Sequence, residues 1–267
     1  MTTDDATHPV GAPVDADPTQ RFTMVGRLAL VTGASSGLGA HIASTLSAAG
    51  ARLVLTARRS EQLQQLSAQM DGGASVIPGD LRDADFRRRL IGAIETRHGH
   101  LDVLVNCAGT CDSGPLEAQG LGEIADVLDL DLLVAIDLCR LAGPLLLRRP
   151  GASVINIASI FGQISSGGGM AGYHAAKGGL ITFTRHLAEQ WGDRGVRVNA
   201  IAPGFFPTPL TGELADPDQR RRIVVRTLLK RTPALDELEG PVLFLASAAS
   251  SYVTGHVLTV DGGWTAC

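Results

Sequence analysis

Tyr173 and Lys177 stand four residues apart in the run Tyr173-His174-Ala175-Ala176-Lys177, which continues into Gly-Gly-Leu-Ile-Thr-Phe and reads as a helix. Positions i and i+4 share one helix face, so the lysine lies beside the tyrosine. A phenol ordinarily titrates near ~10, and a fixed cation within a few ångströms favours its ionised form. The pair is therefore suited to general acid/base work near neutral pH. Such pairs also arise by chance, and a second run gives this one its weight: Thr32-Gly33-Ala34-Ser35-Ser36-Gly37-Leu38-Gly39. One run handles a proton and the other suits a dinucleotide, and hydride transfer needs both.

The elements that must position these residues follow from the apolar pattern. Strands read at Leu28–Val31, Arg52–Thr56, 74–77, 101–105, Ser153–Ile157, 197–201 and 256–260. Helices fill about 38–49, 83–97, 121–148, 173–192, 217–230 and 235–248, and Ser60 is placed to cap a further helix after the second strand. Alternating strands and helices predict an α/β fold, a single doubly wound parallel sheet with helices on both faces. Ligands of such sheets bind beyond the carboxyl ends of the strands, where the special residues fall.

The chain of 267 residues is long enough for one large catalytic domain, expected over 23–267, after a tail (1–22) rich in Thr, Asp, Pro and Ala that is expected to be disordered. A net charge of -4 gives no overall attraction to nucleic acid or anionic membrane, and the clusters at Arg87–Arg89 and 220–222 read as solvated helix faces. No apolar run reaches the ~18 residues that span a bilayer, so the expected location is cytoplasmic. Cys107, Cys111, Cys139 and Cys267 lack zinc-ligand spacing; free thiols are expected, and no metal.

Gly33, Gly37 and Gly39 sit between a strand and a helix, where glycine permits a tight turn, close backbone approach to a pyrophosphate and close helix packing, and Ser35, Ser36 and Leu38 share that turn. After the second strand the chain reads Thr56-Ala57-Arg58-Arg59, with no carboxylate to hold the ribose hydroxyls of NAD. Arg58, with Arg59 next to it, is placed to pair with a 2'-phosphate, which favours NADP(H) over NAD(H); the alternative is that both arginines are solvated surface charges. Asp80 and Leu81 after the third strand suit the adenine, and Asn106, Ala108 and Gly109 after the fourth bring backbone to the cofactor.

In order and spacing, Thr32-Gly-x-x-x-Gly-x-Gly39, Asp80, Asn106-x-Ala-Gly109, Ser159, Tyr173-x-x-x-Lys177, Asn199, Pro203-Gly204-x-x-x-Thr208 and 260–263 resemble the short-chain dehydrogenase/reductase family over about residues 25–264. The branch it resembles holds 3-oxoacyl carrier-protein reductases, ketoreductases and sugar or alcohol dehydrogenases. The resemblance implies that Tyr173 exchanges a proton with a carbonyl or alcohol oxygen, that Lys177 lowers the tyrosine pKa and holds the nicotinamide ribose, and that Ser159 hydrogen-bonds the substrate oxygen. It also implies that Thr208, shaped by Pro203-Gly204, binds the carboxamide, and that the assembly is a homotetramer.

One position departs from that pattern. The family's relay asparagine would align with Asp131, and no asparagine lies between 107 and 155. Phe161, Phe205 and Phe206 offer an apolar substrate wall, or pack a lid against the core. A small neutral ketone or secondary alcohol fits best. Two rival readings are a dinucleotide-sensing protein that has lost catalysis and an NAD-linked sugar or steroid alcohol dehydrogenase.

Overall fold

Five-residue apolar runs form the middle of the sheet because every position in them is buried, as a parallel sheet covered on both faces requires. In a computed structural model, which describes residues 17–165 and 169–266 apart from the side chains of 213 and 215, seven strands run in the order β3-β2-β1-β4-β5-β6-β7. They are β1 (Leu28–Thr32), β2 (Arg52–Thr56), β3 (Ser75–Val76), β4 (Val103–Asn106), β5 (Ser153–Ile157), β6 (Arg197–Pro203) and β7 (Val257–Val260). All six pairings are parallel, and the strand order reverses between β1 and β4, so a crevice opens there. Thr32 stitches that crevice: its Oγ1 donates to Val105 O at 3.3 Å and accepts from the N–H groups of Cys107 (2.9 Å) and Ala108 (3.1 Å).

Two apolar layers close the sheet. On one face pack α1 (Gly37–Ala48), α2 (Ser60–Ala68) and α8 (Glu239–Ala246), through Ile42, Leu46, Leu63, Val242 and Leu245. On the other pack α3 (Ala84–His98), α5 (Val134–Leu147) and α6 (Ala171–Gly192), through Leu90, Ile94, Leu138, Leu145 and Leu187. Helix α4 (Leu121–Leu128) lies along α6, and α7 (Pro217–Arg226) follows the loop after β6.

The structure corrects several expectations. The expected helix over 121–148 is broken between α4 and α5 by a π-type segment, Asp129–Leu133, in which the Val134 N–H donates to Asp129 O. Ser60 is the first residue of α2 and caps nothing; Arg59 holds the N-cap position. Within the expected tail, Pro18–Phe22 form a 3-10 turn whose N-cap Asp17 accepts from the Thr19 N–H at 2.9 Å. The rest of the expected tail, the loop residues Ser166, Gly167 and Gly168, and Cys267 lie outside the described residues. Arg87 is no solvated charge: it pairs with Asp137 at 2.5 Å across α3 and α5. Among the described residues no helix is long and apolar enough to cross a membrane.

Candidate active site

The turn after β1 cannot be built from other residues. Gly33 has φ +66°, and a Cβ there would stand 2.8 Å from Ala108 Cα; a Cβ on Gly39 would run into the Gly33 carbonyl. Helix α1 is thereby seated against the strand ends with its first N–H groups facing outward, a cradle for an anion. From it a cavity of about 480 Å³ runs along the carboxyl ends of the strands. Gly33, Ser35, Ser36, Gly37, Leu38, Gly39, Arg58, Arg59, Asp80, Leu81, Ala108 and Gly109 line it, with Pro203, Gly204 and Thr208 opposite α1. The glycine turn and the long cavity fit a dinucleotide.

The arginines divide their work. Arg59 donates from Nε to Ser35 Oγ at 3.1 Å and from Nη2 to Ser35 Oγ at 2.9 Å and Ser36 Oγ at 2.5 Å, so it lies across the glycine turn. Arg58 lines the cavity beside it. Asp80 accepts from the Arg82 N–H at 2.9 Å, which shapes the turn after β3. Asn106 departs from expectation, since it does not line the cavity. Its buried amide donates to Asn156 Oδ1 at 2.9 Å, tying β4 to β5, and only its neighbours Cys107, Ala108 and Gly109 reach the cavity wall.

Ser159, Tyr173, Lys177 and Asp131 converge at the middle of the cavity. Ser159 leaves β5 in an extended conformation, its Oγ accepting from the Phe161 N–H at 3.2 Å, and its hydroxyl acts on the Tyr173 phenol, lowering its pKa. Lys177 is buried at 5% exposure, donates to Ile157 O at 3.0 Å and holds Asp131 Oδ2 at 3.0 Å. Asp131, buried in the π-type segment, also accepts from the Thr110 N–H at 2.8 Å through Oδ1. A Cβ on Gly109 would come within 2.8 Å of Asp131 Oδ2, so glycine makes room for the carboxylate.

The electrostatics differ from the simple lysine-tyrosine picture. Burial raises the Asp131 pKa, outweighing the Lys177 ammonium and the Thr110 N–H. Burial works against the Lys177 ammonium, but the Asp131 carboxylate beside it outweighs burial and holds the lysine above its ordinary value. Burial lifts the Tyr173 phenol above its usual range; Lys177 and Ser159 pull it down, and the Asp131 carboxylate cancels part of that pull. The balance favours the protonated phenol. The expected lowering of its pKa is not seen, because the expectation left out burial and the buried anion.

On the β5 and β6 side, Phe161 stacks on His174 (5.1 Å between centroids) and meets Phe205 edge-on at 5.8 Å. Trp264 closes the group edge-on to both, under the guanidinium of Arg226 at 3.7 Å. Phe206 meets both expectations: at 2% exposure it packs in the core, and it lines the cavity beside Phe161 and Phe205.

Residues 33–265 match the family model described as enoyl-(acyl carrier protein) reductase. The 3-oxoacyl-[acyl-carrier-protein] reductase FabG of Escherichia coli (strain K12) is 34% identical over 238 residues, 89% of this chain and 97% of that protein. The chain belongs to the short-chain dehydrogenase/reductase family. The gluconate 5-dehydrogenase of Gluconobacter oxydans (strain 621H) is likewise 34% identical, over 91% of this chain and 96% of its own. The crystal structure of a gluconate 5-dehydrogenase from Burkholderia cenocepacia J2315 in complex with NADP and tartrate superposes with a TM-score of 0.87 at 32% identity, covering 92% of this chain and 98% of that one.

As a short-chain dehydrogenase/reductase the chain has features its sequence did not announce. Arg82, Cys111 and Met170 line the cavity from turns whose course depends on tertiary packing. Asp112 is buried against the start of α6, and nothing in the spacing of Asp112 and Tyr173 signals that meeting.

Proposed function

We propose that this short-chain dehydrogenase/reductase uses NADP(H) to interconvert a neutral apolar ketone and its secondary alcohol. The observation that carries the reading is the convergence of Ser159, Tyr173 and Lys177 in a cavity continuous with the glycine turn. The turn after β1 would hold the pyrophosphate, Arg58 and Arg59 the 2'-phosphate, Asp80 and Leu81 the adenine, and Thr208 with Pro203-Gly204 the nicotinamide end. When bound, NADP(H) supplies or accepts the hydride. Tyr173 gives its phenolic proton to the carbonyl oxygen in reduction and recovers one from the alcohol in oxidation. Ser159 donates a hydrogen bond to the same oxygen as charge gathers on it, and Lys177 holds the ribose and stabilises the phenolate left by proton transfer.

Strand order supports the substrate class. Arg58, Arg59 and Arg82 follow β2 and β3, on one side of β1, whereas Ser159, Phe161 and Phe205 follow β5 and β6 on the other. Among the described residues the only lysine or arginine lining that second half is Lys177, already paired with Asp131, and Ser166, Gly167 and Gly168 carry no charge. A gluconate-type carboxylate would find no free cation there.

Cys107, Cys111 and Cys139, none in a disulfide among the described residues, suit a reducing cytoplasm, and exposed Leu121 and Leu133 suit burial between subunits of a homotetramer. The function is tested by steady-state rates with NADPH and NADH on acetophenone, 2-octanone, ethyl acetoacetate and 5-ketogluconate. NADPH-dependent reduction of the neutral ketones is expected; preference for 5-ketogluconate would overturn the substrate class, and tighter NADH binding the cofactor. Replacing Arg58 with Ala should weaken NADPH by about 1.5–3 kcal/mol, the worth of a charge-assisted hydrogen bond, and leave NADH nearly unchanged.

A further inference from the structure

Helix α6 carries Tyr173 in its first turn, where N–H groups have no partner within the helix. Its own N-cap residue, Met170, supplies no side-chain hydrogen bond. The missing acceptor comes from sixty residues away. Asp112, in the loop after β4, accepts from the Gly172 N–H through Oδ2 at 2.8 Å and from the N–H of Tyr173 itself through Oδ1 at 2.9 Å. Gln119 Nε2 donates to the same Oδ2 at 3.0 Å and fixes the carboxylate from behind. Asp112 is 6% exposed; burial works to raise its pKa, but the N–H groups of Gly172 and Tyr173 outweigh it, and the group stays ionised.

The approach is built for this contact. A Cβ on Gly172 would meet Asp112 Oδ2 at 3.2 Å, and a Cβ on Gly169 would strike the Gly114 carbonyl, so small residues let the two loops close on each other. Two residues before Asp112, the Thr110 N–H holds Asp131, which holds Lys177. The segment 109–112 therefore grips the catalytic helix twice, at the backbone of Tyr173 and, through Asp131, at the ammonium of Lys177.

We infer that Asp112 is a positioning residue: by capping α6 in trans of its own N-cap, it fixes where the Tyr173 hydroxyl stands relative to Ser159 and Lys177. This rests on Tyr173 being the proton donor. Because Asp112 does not line the cavity, its loss falls on the chemical step and spares the cofactor.

The test measures, on the purified full chain, Kd for NADPH by fluorescence and kcat per NADPH-binding site with ethyl acetoacetate. Asp112→Ala should lower kcat per site about tenfold or more, the scale of misplacing an acid by an ångström, with Kd for NADPH within about twofold of wild type. Asp112→Asn keeps one acceptor oxygen and should fall between the two. An unchanged kcat per site, or a Kd for NADPH that rises in step with the lost rate, overturns the inference. If Asp112→Ala does not fold, the asparagine variant decides by the same two numbers. Tyr173→Phe run alongside separates the failures: full rate there overturns the acid/base reading and this inference with it, whereas an inactive Tyr173→Phe beside a fully active Asp112→Ala overturns this inference alone.

Discussion

The Lys177 ammonium stands 3.0 Å from the Asp131 carboxylate and 5.5 Å from the centre of the Tyr173 ring, so one cation serves both the phenol and the buried anion. Tyr173→Phe keeps the ring and removes the proton, so turnover should fall by about 10²–10⁴-fold while NADPH affinity holds. More than about a tenth of the wild-type rate would contradict the assignment of Tyr173. Asp131 acts through charge. Its anion, 3.0 Å from the Lys177 ammonium, offsets the field that would otherwise draw the Tyr173 pKa down. Removing that anion in Asp131→Asn lets the ammonium act unopposed and lowers the tyrosine pKa. The acid needed for reduction is then lost at lower pH, so the basic limb of the kcat profile should move downward. The direction of the shift follows from removing a buried charge that lies within a few ångströms of the lysine. Superimposable profiles of equal height would show that Asp131 takes no part.

At the level of elements, the site is a set of strand ends held in register by the residues that follow them. Gly33 is the point where two such ends touch, with φ +66° and no room for a Cβ beside Ala108. Gly33→Ala should therefore cost about 1–3 kcal/mol in stability and weaken NADPH binding, measured as a lowered Tm and a raised Kd. Wild-type values for both would show that the turn relaxes freely. Most of this arrangement was legible in the sequence because its signals are local. Continuous apolar runs marked the strands, and the residues just after them marked the cavity. What the sequence hid depends on partners distant in the chain. The π-type segment at Asp129–Leu133 interrupts an apolar pattern that reads as one helix, because burying Asp131 against Lys177 is a tertiary demand. Asn106 shares the motif of cavity residues, yet its side chain turns to Asn156, which only the pairing of β4 with β5 brings near. Phe205 and Phe206 read alike and both line the cavity, but the turn after β6 also packs Phe206 into the core.

Across the whole molecule, the strand order sorts charge from apolar surface. The net charge of -4 would repel a polyanionic cofactor at long range, so its capture depends on the local cations Arg58, Arg59 and Arg82 near β2 and β3. Arg58 and Arg59 are exposed, which leaves their attraction open to screening by salt. The screening length falls from about 10 Å at 0.1 M ionic strength to about 3 Å at 1 M. The aromatic wall of Phe161 and Phe205 attracts a neutral ketone by burial of apolar surface, which salt does not weaken. KM for NADPH should therefore rise several-fold, on the order of 3–10, between about 0.05 and 0.5 M sodium chloride. KM for acetophenone should stay level or fall over the same range. Arg58→Ala should flatten the NADPH dependence, because the charge being screened is gone. Parallel rises in both KM values would mean that salt acts on the fold rather than on the cofactor half, and a flat NADPH response in the wild type would remove Arg58 and Arg59 from the phosphate.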